Sequence, residues 1–166
     1  MAEPVRYIDR TRDYYLSQGY EKPYRWAHFD EVPFTPLTKP LSECRATLVS
    51  TSDVAVRGAD GEGRDRSEEM LVGNAYSIPS DIPVERLFSR QEHYDKYATH
   101  LDDVNSYFPV SRLKEKVAEG RLASLAPRCH GVYTSYSQRR TLEVDAPEVL
   151  RRCREDEVDI AILTPV

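Results

Sequence analysis

The stretch that decides the fold is Val158-Asp159-Ile160-Ala161-Ile162-Leu163-Thr164-Pro165-Val166. Its apolar run, from Ile160 to Leu163, follows a segment with helical patterning. This order is typical of a strand that is buried on both faces inside a parallel sheet. Thr164-Pro165 then predicts the end of the strand, because proline cannot donate a ladder hydrogen bond. A helix followed by such a strand is half of a βαβ unit.

The residues before this strand predict a helix that starts at Asp145. Asp145 would be the N-cap, Pro147 would lie in the first turn, and Glu148 would follow three residues after the cap. The apolar positions of this helix are predicted to be buried and its arginines to face water: Val149, Leu150 and Cys153 on one side, and Arg151, Arg152 and Arg154 on the other. Cys153 is therefore expected to be a core residue and not a nucleophile.

The first core strand is predicted over Cys44 to Thr51, after a proline-rich extended segment. Its carboxyl end, Ser50 to Asp53, is rich in hydroxyl groups. Two interpretations are open here. The hydroxyls either form an ordinary turn at a strand end, or they contact a substrate or phosphate, since ligand sites collect at the carboxyl ends of strands. Ser50 and Thr51 are the candidate substrate-binding residues of this segment.

Together these segments predict a single α/β domain over residues 32–166, with a mainly parallel sheet that is incomplete at its C-terminal end. Residues 1–31 form a tyrosine-rich arm with a short helix predicted over Val5 to Leu16. The arm either packs on its own domain or contacts a partner, because tyrosine and tryptophan are favoured at interfaces.

The composition is that of an ordinary soluble protein of 166 residues, with 40% hydrophobic and 31% charged residues and a net charge of −5. The acidic balance argues against a nucleic-acid or anionic-membrane partner. The chain contains no apolar run near the ~18 residues of a membrane span, and its N-terminus lacks a signal-peptide core, so a cytoplasmic protein is expected. Its three cysteines are odd in number and widely spaced, which is atypical of a secreted disulfide framework.

The most polar cluster is Glu92-His93-Tyr94-Asp95, with Asp103 and Asn105 close behind. His93 and Asp95 are candidates for proton transfer, and Asp103 and Asn105 for substrate binding. The same side chains would equally suit a hydrogen-bonded network that ties loops to the sheet. No third ligand stands at a standard metal spacing, so no metal site is predicted. The glycine-rich segment Arg57 to Glu69 lacks the G-x-G-x-x-G pattern, and no cofactor site is identifiable.

Several short motifs occur in an order and spacing that resemble a known family. They are Pro33-Phe34-Thr35-Pro36-Leu37, Lys39-Pro40-Leu41-Ser42-Glu43, the strand to Ser50-Thr51, Ile78-Pro79, His93-Tyr94-Asp95, Asp103-Val104-Asn105, Phe108-Pro109, Arg112-Leu113, Glu119-Gly120, Val158-Asp159 and Leu163-Thr164-Pro165-Val166. The chain resembles the selenoprotein B component of the glycine, sarcosine, betaine and D-proline reductases, in its short D-proline-reductase-like branch. It departs from the family at Gln91, where many relatives have histidine, and in the Arg57–Asn74 loop. Both departures concern substrate identity.

The resemblance implies a redox centre just after the last strand. In the family this is a selenocysteine or cysteine with a second cysteine close behind, as U/C-x-x-C, and here it would begin after Val166. Selenocysteine is encoded by a stop codon, so the expectation is a chain truncated at that codon. A selenolate or thiolate at a helix N-terminus would be the nucleophile, and the second cysteine would resolve the intermediate by exchange.

The sequence thus predicts an oxidoreductase subunit that cleaves an amine or amino-acid-like substrate with thiol or disulfide chemistry. The expected partners are a small-molecule substrate and other reductase subunits, or a homo-oligomer. The 166 residues themselves are expected to lack the nucleophile. Alternatives are a non-catalytic α/β binding module that uses the strand ends, and a structural subunit. A hydrolase is poorly supported, because no G-x-S-x-G elbow is present.

Overall fold

The computed structural model describes residues 4–23, 25–58, 64–65, 74–92 and 94–165. The chain divides into two compact units, Met1–Thr35 and Pro36–Val166. In the first unit, helix α1 (Tyr7–Ser17) covers nearly the predicted segment. The rings of Tyr15 and Tyr20 pack edge to face with centroids 5.4 Å apart. The expected arm boundary at residue 31 and the expected role of the arm stay predictions.

The second unit is built on a sheet with strand β1 (Arg45–Ser50) at its centre. On one edge β1 pairs in parallel with β8 (Ile160–Thr164), from Ala46 opposite Ile160 to Ser50 opposite Thr164. On the other edge it pairs in parallel first with β6 (Ser124–Leu125) and then with β7 (Arg128–Gly131). β4 (Tyr76–Pro79) adds to β7 in the antiparallel direction. The expected α/β fold with a mainly parallel sheet is confirmed.

A small antiparallel sheet of three strands adjoins the first. Its strands are β2 (Val54–Arg57), β3 (Arg64–Asp65) and β5 (Leu87–Ser89), with β2 between the other two. The register of β2 and β5 places Val54 opposite Ser89. The residues that flank this pair, Asp53 and Arg90, are therefore brought together at the end of the small sheet.

The helical elements of the second unit are α2 (Val110–Ala118), α3 (Gln138–Arg140) and α4 (Ala146–Glu155), with single 3-10 turns at Leu41–Glu43, Val84–Arg86 and Val104–Ser106. α2 ends at Ala118, and Gly120, two residues later, has a φ of 71° that suits a residue just past a helix end. A π turn, Thr141–Asp145, joins α3 to α4 as one continuous helix.

Each face of the main sheet carries its own hydrophobic core. Leu48, Ile78 and Cys129 pack on one face with Phe108 and Val110 from the start of α2. On the opposite face Val49 packs with Val149 and Cys153 of α4. The prediction that Cys153 is a packed core residue is confirmed, since only 7% of it is exposed.

The prediction that the last strand is buried on both faces is wrong. β8 pairs with β1 alone, so it is an edge strand within the described part of the chain. Ile160 and Ile162 are half-buried, but Ala161 is exposed and Leu163 is 70% exposed. A short apolar run indicates a strand, but it does not say how many neighbours cover it.

The last α-helix starts directly after Asp145, as predicted, but the predicted capping role of Asp145 is wrong. Asp145 has helical φ and ψ and makes no side-chain capping hydrogen bond. The helical path already begins at Gln138, where the Ser137 hydroxyl accepts a hydrogen bond from the Arg140 amide. Pro147 lies inside the helix, where it lacks an N–H and its ring would clash with the carbonyl four residues back. The wider π turn directly before Pro147 relieves that conflict.

Two side chains of this helix lie opposite to their predicted sides. Arg152 is only 6% exposed, because its guanidinium donates to Glu148 Oε1 at 2.7 Å and to Ser77 Oγ at 2.8 Å. Leu150 is 49% exposed. The apolar pattern of the helix could not predict the burial of Arg152, because Arg152 lies on the helical face that meets the sheet and donates there to Ser77 of β4.

Candidate functional site

The carboxyl ends of the parallel strands meet at one edge of the main sheet. Ser50 ends β1, Gly131 ends β7 and Thr164 ends β8, and the register places Ser50 beside both of the others. Open α/β sheets bind their ligands at such an edge. This is the edge at which the sequence placed its candidate substrate contacts.

Buried hydroxyl groups tie this edge together. Ser50 Oγ lies 2.6 Å from Ser52 Oγ and 3.0 Å from the Tyr107 carbonyl oxygen. Thr164 Oγ1 donates to the same carbonyl at 3.2 Å. Ser50 and Ser52 are at most 2% exposed, so their hydroxyls hold the strand ends to the segment before α2.

Thr51 connects two cavities that flank the edge. Its amide donates to the Thr164 carbonyl at 3.4 Å, and its carbonyl accepts from Thr134 Oγ1 at 3.0 Å. Thr51 lines a cavity on the α4 side, and Thr134 lines one on the side of the small sheet. A chemical group at the end of β8 would therefore lie close to both cavities.

The first cavity, the apolar groove, has a volume of about 540 Å³ and lies between α4 and the exposed face of β8. Most of its lining is aliphatic. The lining residues include Val49, Val132, Val149, Leu150, Cys153, Val158, Ala161, Leu163 and Pro165. None of the described residues that line it is Lys, Arg or His.

Two described residues of the groove lining carry carboxylates, Asp145 in the π turn and Asp159 before β8. Asp145 is 1% exposed, and neither of its carboxylate oxygens has a hydrogen-bond partner among the described residues. The Arg140 Nε lies 3.6 Å from Oδ2. Burial raises the pKa of Asp145, and the Arg140 charge opposes that rise. The sequence predicted that this residue would cap a helix. It lies instead in a π turn, and π turns are often found at functional sites.

The second cavity, the polar cleft, has a volume of about 520 Å³. It lies where the segments after β1, β5 and β7 converge. Its lining residues are Asp53, Arg90, Gln91, Glu92, Tyr133, Thr134, Ser135 and Tyr136. It therefore combines both signs of charge with hydroxyl groups and aromatic rings.

Asp53 and Arg90 form the ion pair of the polar cleft. Arg90 Nη2 lies 2.7 Å from Asp53 Oδ1, each side chain is 20% exposed, and the Arg90 amide donates to the Asp53 carbonyl at 3.0 Å. Arg90 Nε is buried and has no hydrogen-bond partner. Asp53 and Tyr136 have φ of 51° and 52°, in the left-handed region that few residues other than glycine adopt.

Sequence reasoning missed this ion pair. Asp53 belongs to the hydroxyl-rich segment that was singled out, but Arg90 follows a different strand. Only the register of β2 with β5 brings the two residues together. A local pattern carries no signal for such a pairing.

The remaining predicted site residues lie elsewhere. The Asp95 carboxylate is exposed and accepts hydrogen bonds from the Tyr97 and Ala98 amides at 2.9 and 3.1 Å, as in a turn. Asp103 accepts from the Asn105 amide at 2.9 Å at the start of a 3-10 turn, and Asn105 Oδ1 accepts from Ser111. Asp103 and Asn105 line a separate cavity with Phe88, so they are not brought together with Ser50 and Thr51.

His93 lies outside the described residues, so its expected pairing with Asp95 stays a prediction. The substrate-binding roles of Ser50, Thr51, Asp103 and Asn105 likewise stay predictions. Ser50 and Thr51 line the apolar groove, whereas Asp103 and Asn105 line neither the groove nor the polar cleft.

A buried histidine, His130, lies in the main sheet next to α4. It is fully buried, with Nδ1 3.1 Å from Ser77 Oγ and Nε2 without a hydrogen-bond partner. Burial, together with the charges of Arg128 and Arg152, lowers its pKa to about 4. His130 is therefore neutral at physiological pH and contributes to packing.

None of the three cysteines is set up as a nucleophile. Cys44, Cys129 and Cys153 are all buried thiols without a disulfide. Burial raises the pKa of Cys129 to about 11 and also raises the pKa of Cys153. A reactive thiol needs the opposite environment, with access to solvent and a lowered pKa.

Among the residues that the structure describes, no three His, Cys, Asp or Glu side chains cluster in a way that could hold a metal ion. In the same part of the chain, no helix is both long enough and apolar enough to cross a membrane.

The chain is similar in sequence to D-proline reductase subunit gamma of Acetoanaerobium sticklandii, with 26% identity over 133 residues. The match covers 79% of this chain and 52% of that protein, so the chain spans about half the length of the curated relative it matches. The similarity supports a relationship to a reductase subunit. No family model matches the chain, and no solved structure matches it significantly.

Proposed function

We propose that the chain is part of a cytoplasmic reductase subunit of the selenoprotein B type, acting on an amine or amino-acid-like substrate. The similarity to a D-proline reductase subunit, which covers 79% of the chain, supports a reductase-related subunit. A subunit role also suggests other reductase subunits, or a second copy of the chain, as partners.

The observation that carries the proposal is the contrast between the cysteines and the sheet edge. The three thiols of the chain are buried, yet the carboxyl end of β8 stands beside two cavities. The redox group would be a selenocysteine or cysteine that follows Val166, in a U/C-x-x-C segment. At that place it would reach a substrate held at the strand ends.

The proposed reaction balances with an external thiol reductant. One carbon–nitrogen bond of the substrate takes up two electrons and two protons, and the selenol–thiol pair becomes a selenenyl sulfide. The thiol reductant then restores the pair by exchange. Residues at the strand ends would orient the substrate, and His93 and Asp95 stay candidates for proton transfer.

The direct test is to translate the nucleotides that follow the Val166 codon. The expected result is an in-frame stop or cysteine codon within a U/C-x-x-C segment, followed by a helix-rich extension. The extended chain should be alkylated rapidly by iodoacetamide and should support reductive cleavage with a dithiol, whereas the 166-residue chain should do neither. An unrelated or non-coding downstream sequence would remove the proposed mechanism.

A non-catalytic binding module is the second candidate. The apolar groove favours this candidate, because residues of one chain form it and its volume is that of a small-molecule site. Saturable binding of an apolar ligand by the 166-residue chain, without any downstream redox segment, would support this candidate over the reductase.

A further inference from the structure

We infer that the polar cleft is the site of a small zwitterionic ligand, with Arg90 binding the carboxylate and Asp53 facing the ammonium group. The inference rests on the proposed function for the identity of the ligand, since the relative is named for D-proline, which carries both groups. The cleft residues themselves come from the structure and were not among the predicted substrate contacts.

The position of the cleft is that of a substrate site. It lies beyond the ends of β1, β5 and β7, and it is joined to the end of β8 through two hydrogen bonds. Thr134, on the cleft wall, donates to the Thr51 carbonyl at 3.0 Å, and the Thr51 amide donates to the Thr164 carbonyl at 3.4 Å. A ligand in the cleft would therefore lie beside the proposed redox group.

Arg90 has the donor capacity that a carboxylate needs. A guanidinium presents five N–H donors in a planar fork that matches a carboxylate. The Nη2 group of Arg90 donates to Asp53 Oδ1 at 2.7 Å, and 20% of the Arg90 side chain is exposed at the wall of the cleft. The exposed part of the guanidinium can therefore donate to a ligand carboxylate.

The acidic and aromatic residues of the cleft suit the other end of the ligand. The Asp53 carboxylate is 20% exposed and held by Arg90, and Glu92 adds a second, exposed carboxylate. Tyr133 and Tyr136 are 45% and 83% exposed and line the same cleft. Tyrosine faces attract ammonium groups and cover small rings.

Backbone strain supports a functional role for the same residues. Asp53 and Tyr136 are two of the three non-glycine residues with positive φ in the described chain, and both line the polar cleft. Residues held in such conformations cluster at functional sites. The Asp53 carboxylate pairs with Arg90 at 2.7 Å on the same cleft wall.

The apolar groove does not offer the same recognition. Among the described residues, its lining contains no Lys, Arg or His side chain that could pair with a carboxylate, and most of the lining is aliphatic. A small zwitterion in the groove would lose hydration at its carboxylate without gaining a cationic partner. Of the two cavities at the sheet edge, the polar cleft is the one with both charges.

The test is equilibrium binding of D-proline to the 166-residue chain by isothermal calorimetry or NMR titration. Pyrrolidine, which lacks the carboxylate, and cyclopentanecarboxylate, which lacks the ammonium, serve as half-ligands. D-proline should bind saturably and at least about tenfold more tightly than either half-ligand. Arg90→Met should weaken D-proline and cyclopentanecarboxylate by about tenfold or more, and should leave pyrrolidine unchanged.

Asp53→Asn should show the opposite pattern, weakening D-proline and pyrrolidine but not cyclopentanecarboxylate. Arg112→Met is the matched control, because Arg112 is an exposed arginine paired with Glu115 on α2 and does not line the cleft. If Arg90→Met does not fold, as judged by circular dichroism, Arg90→Lys replaces it. Lys keeps the charge but not the fork, so D-proline binding should still weaken severalfold.

Three results would overturn the inference. They are no D-proline binding by the folded chain, equal binding by the Arg90 variants, and loss of binding in Asp145→Asn instead. None of them depends on the downstream codons. If D-proline binds through Arg90 but no redox extension follows Val166, the ligand site stands and the reductase function is rejected. If the extension exists but D-proline does not bind, the reductase function stands and the ligand site is rejected.

Discussion

The ring of Tyr76 lies directly against Gly131 on the neighbouring antiparallel strand. A Cβ atom built on Gly131 would stand 2.0 Å from Tyr76 Cζ, far inside van der Waals contact. Tyr76 is 1% exposed, so its ring has little room to move away. The absence of a side chain at position 131 therefore allows β4 and β7 to pair beside the strand ends.

Gly131→Ala should destabilise the protein by roughly 2 kcal/mol, the range for overpacking a core. The measurement is urea unfolding of the variant and the unchanged chain. In a Tyr76→Ala background the same substitution should cost much less, because the clashing ring is gone. Additive effects in this double-mutant cycle would contradict the packing argument.

A second prediction concerns acid sensitivity at His130. Its folded pKa, about 4, lies below the ordinary histidine value, so the unfolded chain binds a proton more readily. Stability is then fully present above the unfolded pKa and is lost as the pH falls towards the folded pKa. As the pH falls from about 6.5 to about 5, protonation of His130 in the unfolded chain should lower the free energy of unfolding by about 1.5 kcal/mol.

The measurement is urea unfolding across that pH range for the unchanged chain and for His130→Asn, which keeps a polar atom near Ser77. The Asn variant should show a flatter pH dependence. His100→Gln is the control, because the His100 side chain is 76% exposed beside Asp102. An equal slope in His130→Asn and the unchanged chain would show that His130 does not carry the effect.

A third prediction concerns the buried carboxylate of Asp145. Burial raises its pKa, so ionised Asp145 destabilises the fold at neutral pH, and the penalty disappears below its unfolded pKa. Asp145→Asn should therefore raise the unfolding free energy at pH 7, with a smaller gain at acid pH. Urea unfolding of both proteins at two pH values measures the difference.

Asp156→Asn is the matched control for that experiment. The Asp156 carboxylate accepts from Arg128 Nε at 2.7 Å, so its removal should lower stability. Stabilisation by both substitutions, or by neither, would contradict the expected contrast between Asp156, which accepts a hydrogen bond from Arg128, and Asp145, which accepts none from the described residues.

Much of the fold could be predicted from local patterns. Hydrophobic periodicity and helix- or turn-ending residues within a few positions are enough to indicate three features. These are the hydroxyl-rich end of β1, the end of α2 before Gly120 and the helix-to-strand order at Val158. The failures have a different cause. The burial of Arg152 depends on Ser77, which lies 75 residues away in sequence. The exposed face of Leu163 depends on which strands lie beside β8.

The candidate site was predictable in place but not in composition. Strand ends indicated the edge of the sheet that the apolar groove and the polar cleft flank, because parallel strands share their carboxyl ends. The Asp53–Arg90 pair joins residues 37 apart and requires the β2–β5 register, which no local motif specifies. Likewise, the capping pattern at Asp145 is real, but Pro147 within a longer helix turns that position into a π turn.

The last prediction tests whether the chain carries its own nucleophile. Cys44, Cys129 and Cys153 are all buried. The Cys44 thiol also donates a hydrogen bond to the Pro40 carbonyl oxygen at 3.2 Å. A thiol-specific reagent such as DTNB should therefore react with the native chain at least about 100-fold more slowly than with the urea-unfolded chain. Thr99→Cys, at an exposed position, should react at once and provides the positive control. Fast labelling of a natural cysteine in the native chain would place a nucleophile inside these residues, and the reductase would then no longer need a redox group beyond Val166.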